Sequence, residues 1–185
     1  IVAAPTAGAC GVLPAVLVPY FQKRCRNTDK ILKAMYVAAG IGQIIATRSS
    51  ISGAAGGCQA EIGSASSMAA GALTYLQGGN CEQIATAAAM AMKNLLGLVC
   101  DPVAGLVEVP CVKRNVIGTV NAMACADMAM AGIVSRIPPD QVMDAMKEVG
   151  DKMDASLRET ALGGLARTEE GVKIAEKMHA SQENW

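Results

Sequence analysis

Aromatic side chains are nearly missing from this sequence. They make up 3% of 185 residues, with Trp 1, Phe 1 and Tyr 3, whereas Gly numbers 19 and Met 11. A core without rings relies on small and flexible side chains, so helices approach closely and Met fills the gaps. An excess of either charge is also missing, with 16 Lys+Arg against 16 Asp+Glu. No basic block stands out, which argues against a nucleic-acid partner. Long uninterrupted apolar spans are absent as well. The stretch Val2–Phe21 carries no charge, but Pro5, Pro14 and Pro19 make it a poor lipid-exposed helix. It also lacks the basic start of a signal peptide, so neither a membrane span nor a leader is expected there. The sequence does not open on Met and reads as a piece of a longer chain. Finally, there is no C-x-x-C pair. Seven cysteines, an odd number, argue against a disulfide framework and for a reducing, cytoplasmic setting.

What remains is 52% hydrophobic and only 17% charged, enough for one well-filled domain over 1–185. The periodicity is helical throughout, without strand alternation or repeats, so the expected fold is all-α. A first apolar run ends over Tyr20–Arg26. Thr28 and Asp29 are expected to cap a second helix, with Ile31, Leu32, Met35, Ile41, Ile44 and Ile45 at helical spacing. Ser49–Gly57 reads as a loop and Cys58–Gln77 as a helix stopped by Gly78 and Gly79. Asn80 and Gln83 form a plausible capping box for a helix running to Cys100. Asn115–Arg136 reads as the next helix. Pro138, Pro139 and Asp140 open another, with Val142, Met146, Val149 and Met153 on one face. Thr168–Met178 is a short charged segment. Cys81 and Cys125 are expected to be buried apolar fillers, and Cys25 to be exposed among Lys23, Arg24 and Arg26.

Three interruptions carry candidate chemistry. APTAGACG (Ala4–Gly11) is a small-residue loop entering a helix, either a cradle for an anion or simply a tight turn. GGCQAEIGSASSMAA (Gly56–Ala70) places Cys58 at a helix start, where thiolate is favoured, with Glu61 one turn on in apolar surroundings, as a site carboxylate or a helix cap, and Ser66 and Ser67 beyond it. CDPVAGLVEVPC (Cys100–Cys111) breaks the helical pattern with Pro102, Gly105 and Pro110 between two thiols. In one helix, residues eleven apart would lie about 16 Å apart along the axis, whereas a Pro/Gly loop can bring them together. Asp101, Glu108, Lys113, Arg114 and Asn115 cluster around that break. By spacing alone, three of seven cysteines can be chosen in many ways. Zinc prefers four ligands in short knuckles, whereas iron–sulfur clusters accept thiolates from separate loops.

CDPVAGLVEVPCVKRN at Cys100–Asn115, GCQAEIGSASSMAA at Gly57–Ala70, APTAGACGVLPAV at Ala4–Val16 and RETALGGLA at Arg158–Ala166 resemble the α component of iron–sulfur-dependent L-serine dehydratases. The motifs occur in the family's order over nearly the whole chain. The resemblance implies an all-helical catalytic domain that deaminates L-serine to pyruvate and ammonia. It also implies a 4Fe-4S cluster held by Cys58, Cys100 and Cys111, with one iron free of protein thiolate. Many members have Cys where this chain has Ser66, and Glu-His-Asn where it has Lys93-Asn94-Leu95. The single His179 lies far along the chain. Single-chain members can end in a cysteine, whereas this chain ends QENW. It looks instead like the two-subunit form, with a separate regulatory β subunit and self-association possible. The family's α component also begins well before Ile1.

For such a reaction the candidate bases are Glu61, Asp101, Ser66 and Ser67. The loop of Thr6, Ala7, Gly8, Ala9 and Cys10 is the candidate cradle for the substrate carboxylate, with Asn115 beside it. Arg114 or Arg158 would compensate charge, since a guanidinium grips a carboxylate in two contacts. Rival readings are a pyridoxal-phosphate enzyme, a related cluster hydro-lyase or cysteine desulfidase, and a non-catalytic iron–sulfur or zinc module.

Overall fold

The structure is a computed structural model and describes residues 3–182, with the side chains of 181 and 182 outside the description. The first two residues and the last three, most of the QENW terminus, also lie outside it. Helices run in the order α1 (Val12–Lys23), α2 (Thr28–Arg48), a single turn α3 (Gly53–Gly56), α4 (Ser64–Leu76) and α5 (Cys81–Lys93). Then follow α6 (Cys111–Met130), α7 (Pro139–Lys152) and α8 (Glu169–Gln182). Among the described residues there is no strand, only an isolated bridge between Cys100 and Arg158. The fold is an all-α single domain, and no described helix is long and apolar enough to cross a membrane.

The low aromatic content finds its reason in α4. Every residue of SASSMAAGALTYL is buried except the partly covered Tyr75. A helix enclosed on all sides needs small side chains so that neighbours can reach its backbone. α1, α2, α5 and α6 all pack around it. A Cβ on Gly71 would collide with Ile41 Cδ1 of α2. Gly71→Ala is therefore expected to cost about 1–3 kcal/mol of stability, read as a lowered Tm. Crowding also decides which face of α2 turns inward. Ala34, Ala38, Gly42 and Ile45 are buried, while Leu32, Met35 and Ile44 remain about half exposed. The expected stripe holds in part: Ile31, Ile41 and Ile45 pack inward, while Leu32, Met35 and Ile44 turn outward and leave small residues facing α4.

Helix limits differ from the expected ones for local reasons. Asn27, rather than Thr28 or Asp29, caps α2 by accepting from the Lys30 N–H at 3.0 Å. The capping box of α5 forms as expected between Asn80 and Gln83. It places Cys81 in the first turn, and that thiol is exposed rather than buried. Cys125 is buried as expected, and Cys25 is half-buried. α5 stops at Lys93 instead of running to Cys100, and Gly97, at φ 83°, turns the chain back. α6 opens at Cys111, four residues before the expected start, and ends at Met130. On α7 Val142 and Met146 are buried, while Val149 and, just past the helix end, Met153 are only partly covered. The expected helix from Cys58 begins with a π-helical turn, Gln59–Gly63, before α4. Gln59 anchors this turn: its amide donates to Met146 O on α7 at 2.9 Å and accepts from the Gly97 N–H at 2.9 Å.

Candidate functional site

Two loops around Cys100 bend the chain in uncommon ways. Ala104, Glu159 and Ala161 have φ of 54°, 64° and 55°. Non-glycine residues in this region are infrequent and persist only where surroundings enforce them. The 100–111 loop is closed by the Val103 N–H donating to Val109 O at 2.9 Å, which brings the chain back so that α6 starts at Cys111. The 157–159 segment lies along Cys100. The Cys100 N–H donates to Leu157 O at 2.8 Å, and the Glu159 N–H donates to Cys100 O at 2.7 Å.

These bends gather the three thiols predicted to act together. Cys58, Cys100 and Cys111 are all buried. The sulfurs of Cys58 and Cys100 and a carboxylate oxygen of Glu61 lie within 4.8 Å of one another. Cys58 also meets the Cys111 thiol. Contact with Cys100, reinforced by burial, pushes the Cys58 thiol up to about 12, although Cys111 and Arg114 pull the other way. Contact with Cys58 and then burial push Cys111 up as well. The expectation that a helix start lowers the Cys58 pKa is corrected: crowding of thiols outweighs the effect of position. Three buried sulfurs drawn together by separate segments form a soft donor set that suits a thiophilic metal or cluster.

Glu61 sits on the π-helical turn, three residues after Cys58. Such turns recur at functional sites because they redirect one side chain without ending the helix. The Thr6 hydroxyl donates to Glu61 Oε1 at 2.7 Å. A Cβ on Gly8 or Gly53 would come 3.1 or 3.0 Å from Oε2, so two glycines line the other oxygen. Burial raises the Glu61 pKa, the Thr6 hydrogen bond opposes this, and the nearby charge of Glu159 adds to it. Glu159 is a site neighbour that sequence reasoning did not single out, although it lies in the RETALGGLA run.

The Thr6–Cys10 loop is fixed by Asn115. Its amide donates to Gly8 O at 2.7 Å and to Cys111 O at 2.9 Å, and its oxygen accepts from the Gly11 N–H at 2.9 Å. Among the described residues the N–H groups of Ala7, Gly8 and Ala9 donate to no protein acceptor. Ala9 is buried, and Cys10 is half-buried.

The other candidates have different surroundings. Arg114 Nη1 donates to Val99 O at 2.7 Å and lies 3.6 Å from Cys58 Sγ, while Nη2 is 2.8 Å from Asp101 Oδ1. Burial works against the Arg114 charge, but Cys58 and Asp101 outweigh it and raise its pKa. Asp101, 3% exposed, is thereby paired, and its Oδ2 accepts the Leu165 N–H at 2.8 Å. Gly164, at φ 57°, lets that turn approach, since a Cβ there would overlap Asp101. Ser66 and Ser67 are fully buried, and their hydroxyls donate to Gly118 O and Ala88 O, both at 2.8 Å. These are contacts between α4 and its neighbours α6 and α5. Arg158 has a buried Nε without a hydrogen-bond partner among the described residues. His179 is exposed on α8, beside a cavity that also touches Ala104 and Gly105. A cavity of about 470 Å³ between α1 and α2 is lined by groups such as Leu13, Leu17, Phe21 and Met35. Its apolar wall offers nothing to hold a zwitterion.

Residues 1–166 match the family described as serine dehydratase alpha chain. The chain is 54% identical over 178 residues to a probable L-serine dehydratase alpha chain of Bacillus subtilis (strain 168), covering 96% of this chain and 59% of that protein. It is 51% identical over 174 residues to the L-serine dehydratase alpha chain of Peptoniphilus asaccharolyticus, covering 94% and 60%. Against L-serine dehydratase TdcG of Escherichia coli (strain K12) it is 48% identical over 168 residues, covering 90% of this chain and 37% of that one. It thus spans about three-fifths of the first two relatives and a smaller part of the third. With the match reaching from the Thr6 loop through all three buried thiols to Ala166, this chain belongs to the serine dehydratase alpha chain family.

Proposed function

We propose that this chain carries the catalytic site of an iron–sulfur-dependent L-serine ammonia-lyase, acting in the cytoplasm with a separate regulatory β subunit. The observation that carries the reading is the convergence of three buried thiols and Glu61 beside a loop with free N–H groups. The names of the relatives support L-serine as substrate, and the words "alpha chain" in two of them support a separate partner chain. When bound on Cys58, Cys100 and Cys111, a 4Fe-4S cluster supplies an iron free of protein thiolate, a Lewis acid for the departing hydroxide.

The rest is the work of this chain's own residues. Unpaired N–H groups of Ala7, Gly8 and Ala9 receive the substrate carboxylate, and Arg158 balances its charge. Glu61 takes the Cα proton. Its raised pKa makes the carboxylate a stronger base, and the Thr6 hydroxyl fixes one oxygen while the other stays between two glycines. Loss of water leaves aminoacrylate, which hydrolyses to pyruvate and ammonia. Asp101 and Arg114 are poor candidates for base and carboxylate clamp because they neutralise each other. Ser66 and Ser67 serve helix packing, because their hydroxyl protons are already given to carbonyls.

Asn115 acts by holding the loop. Asn115→Ala removes its hydrogen bonds to Gly8 and Gly11, worth about 1 kcal/mol each, and should raise KM roughly tenfold or more with a smaller change in kcat. The overall test is pyruvate formation from L-serine by anaerobically prepared protein, compared with L-cysteine and with hydroxy acids. A second reading, a closed metal site with Glu61 as fourth ligand, is favoured by the 4.8 Å grouping of Glu61 with Cys58 and Cys100. That reading requires a bound metal and no turnover of any of these substrates.

A further inference from the structure

Arg114 occupies the first turn of α6, three residues after Cys111, and reaches both other thiol-bearing segments. Nη1 donates to the carbonyl of Val99, the residue before Cys100, at 2.7 Å, and lies 3.6 Å from the Cys58 sulfur. Nη2 lies 2.8 Å from Oδ1 of Asp101, the residue after Cys100. The other oxygen of Asp101 accepts the Leu165 N–H at 2.8 Å, so these contacts extend to the Gly164–Arg167 turn. Both side chains are largely covered, 13% exposed for Arg114 and 4% for Asp101, which limits screening by water.

We propose that Arg114 is a positioning residue of the thiol site. One guanidinium holds the Cys58, Cys100 and Cys111 segments in register and donates to the Cys58 sulfur. The inference rests on the reading of these thiols as metal ligands and is independent of the substrate. Planar geometry is required. A guanidinium donates to the Val99 carbonyl and the Cys58 sulfur from one nitrogen and pairs with the Asp101 carboxylate through the other, whereas an ammonium at the same position is a point charge on a flexible stem. A positive donor on a ligand sulfur also offsets the negative charge of the thiolates, so it stabilises the site once loaded and favours a reduced cluster.

The test uses the full-length protein and two readouts besides activity. Metal-free protein is titrated with Co²⁺, followed by thiolate-to-cobalt absorption. Anaerobically reconstituted protein is titrated reductively. Arg114→Met should weaken Co²⁺ binding about 10–100-fold and make the reconstituted centre harder to reduce. Arg114→Lys should recover only part of the Co²⁺ affinity, and Arg26→Met, at an exposed site on the chain between α1 and α2, none of the loss to begin with. If Arg114→Met does not fold, Arg114→Lys decides, since it keeps the charge and loses the fork. Folded Arg114 variants that bind Co²⁺ as tightly as the parent would overturn the inference. A parent protein that binds neither Co²⁺ nor iron would instead remove the ligand reading, and this inference with it.

Discussion

Replacing Cys58, Cys100 or Cys111 by serine, one at a time, is expected to abolish both cluster retention and pyruvate formation. All three thiols are buried, and Cys58 lies against both Cys100 and Cys111. Serine keeps the size but offers a hydroxyl that is hard to ionise, a poor ligand for iron in a sulfur-rich site. Loss of Lewis-acid stabilisation removes several kcal/mol from the transition state, so turnover should fall by at least about 10³-fold. Cys81→Ser is the matched control. Its thiol is exposed at the start of α5, away from the pocket, and iron, sulfide and activity should all stay at the parent level. Measured iron and acid-labile sulfide decide the matter before any rate is taken. A Cys81 variant that loses its cluster while a Cys58 variant keeps one would overturn the ligand set.

Glu61→Gln is expected to lower kcat by about 10²–10⁴-fold while leaving cluster content intact. Glutamine keeps the shape of the side chain and can still accept from Thr6, but it cannot take a proton. The separation of activity from cluster content distinguishes a base from a ligand. If Glu61 instead completes a closed metal site, the variant should lose metal along with activity. The pH profile gives a second check. A base works ionised, so activity should fall as the pH drops through its pKa. Burial raises that pKa, so the acidic limb should lie above the range of an ordinary carboxylate. The Thr6 hydrogen bond opposes the rise, so Thr6→Val should move the limb further up, and Thr6→Ser should leave it near the parent position.

The sequence made the order of helices and the break between Cys100 and Cys111 legible, because both depend on local rules. Proline and glycine at 102, 105 and 110 forbid a continuous helix, and the Asn80/Gln83 spacing specifies a cap within four residues. Packing was not legible in the same way. Leu32, Met35 and Ile44 follow a helical period, yet the enclosed α4 admits Ala34, Ala38 and Gly42 instead. Gly42 lies against the Met68 side chain, where a Cβ would come 3.0 Å from its sulfur. Period marks a face, but the space available across the interface decides which face is used.

The same division holds within the site. Which thiols belong together came from the motifs that resemble a known family, whereas their mutual effect is a matter of tertiary contact. Cys58 taken alone at a helix start suggests a lowered pKa, but Cys100 arrives from 42 residues away, and its proximity together with burial reverses the shift. Arg114 and Asp101 were both legible as charged residues near the break. Their pairing with each other, and the reach of Arg114 to Cys58, depend on the fold of the 100–111 loop. Glu159 left no local signal, since its left-handed backbone and its place near Glu61 follow from the pairing of its segment with Cys100.

The most direct test of the central claim is the electron paramagnetic resonance spectrum of the anaerobically reconstituted, reduced full-length protein, recorded with and without L-serine in the presence of the proposed β subunit. The account predicts a 4Fe-4S signal that shifts when L-serine is added, because substrate reaches an iron that no protein thiolate covers. A 4Fe-4S signal indifferent to saturating L-serine, from protein that makes no pyruvate, would contradict it.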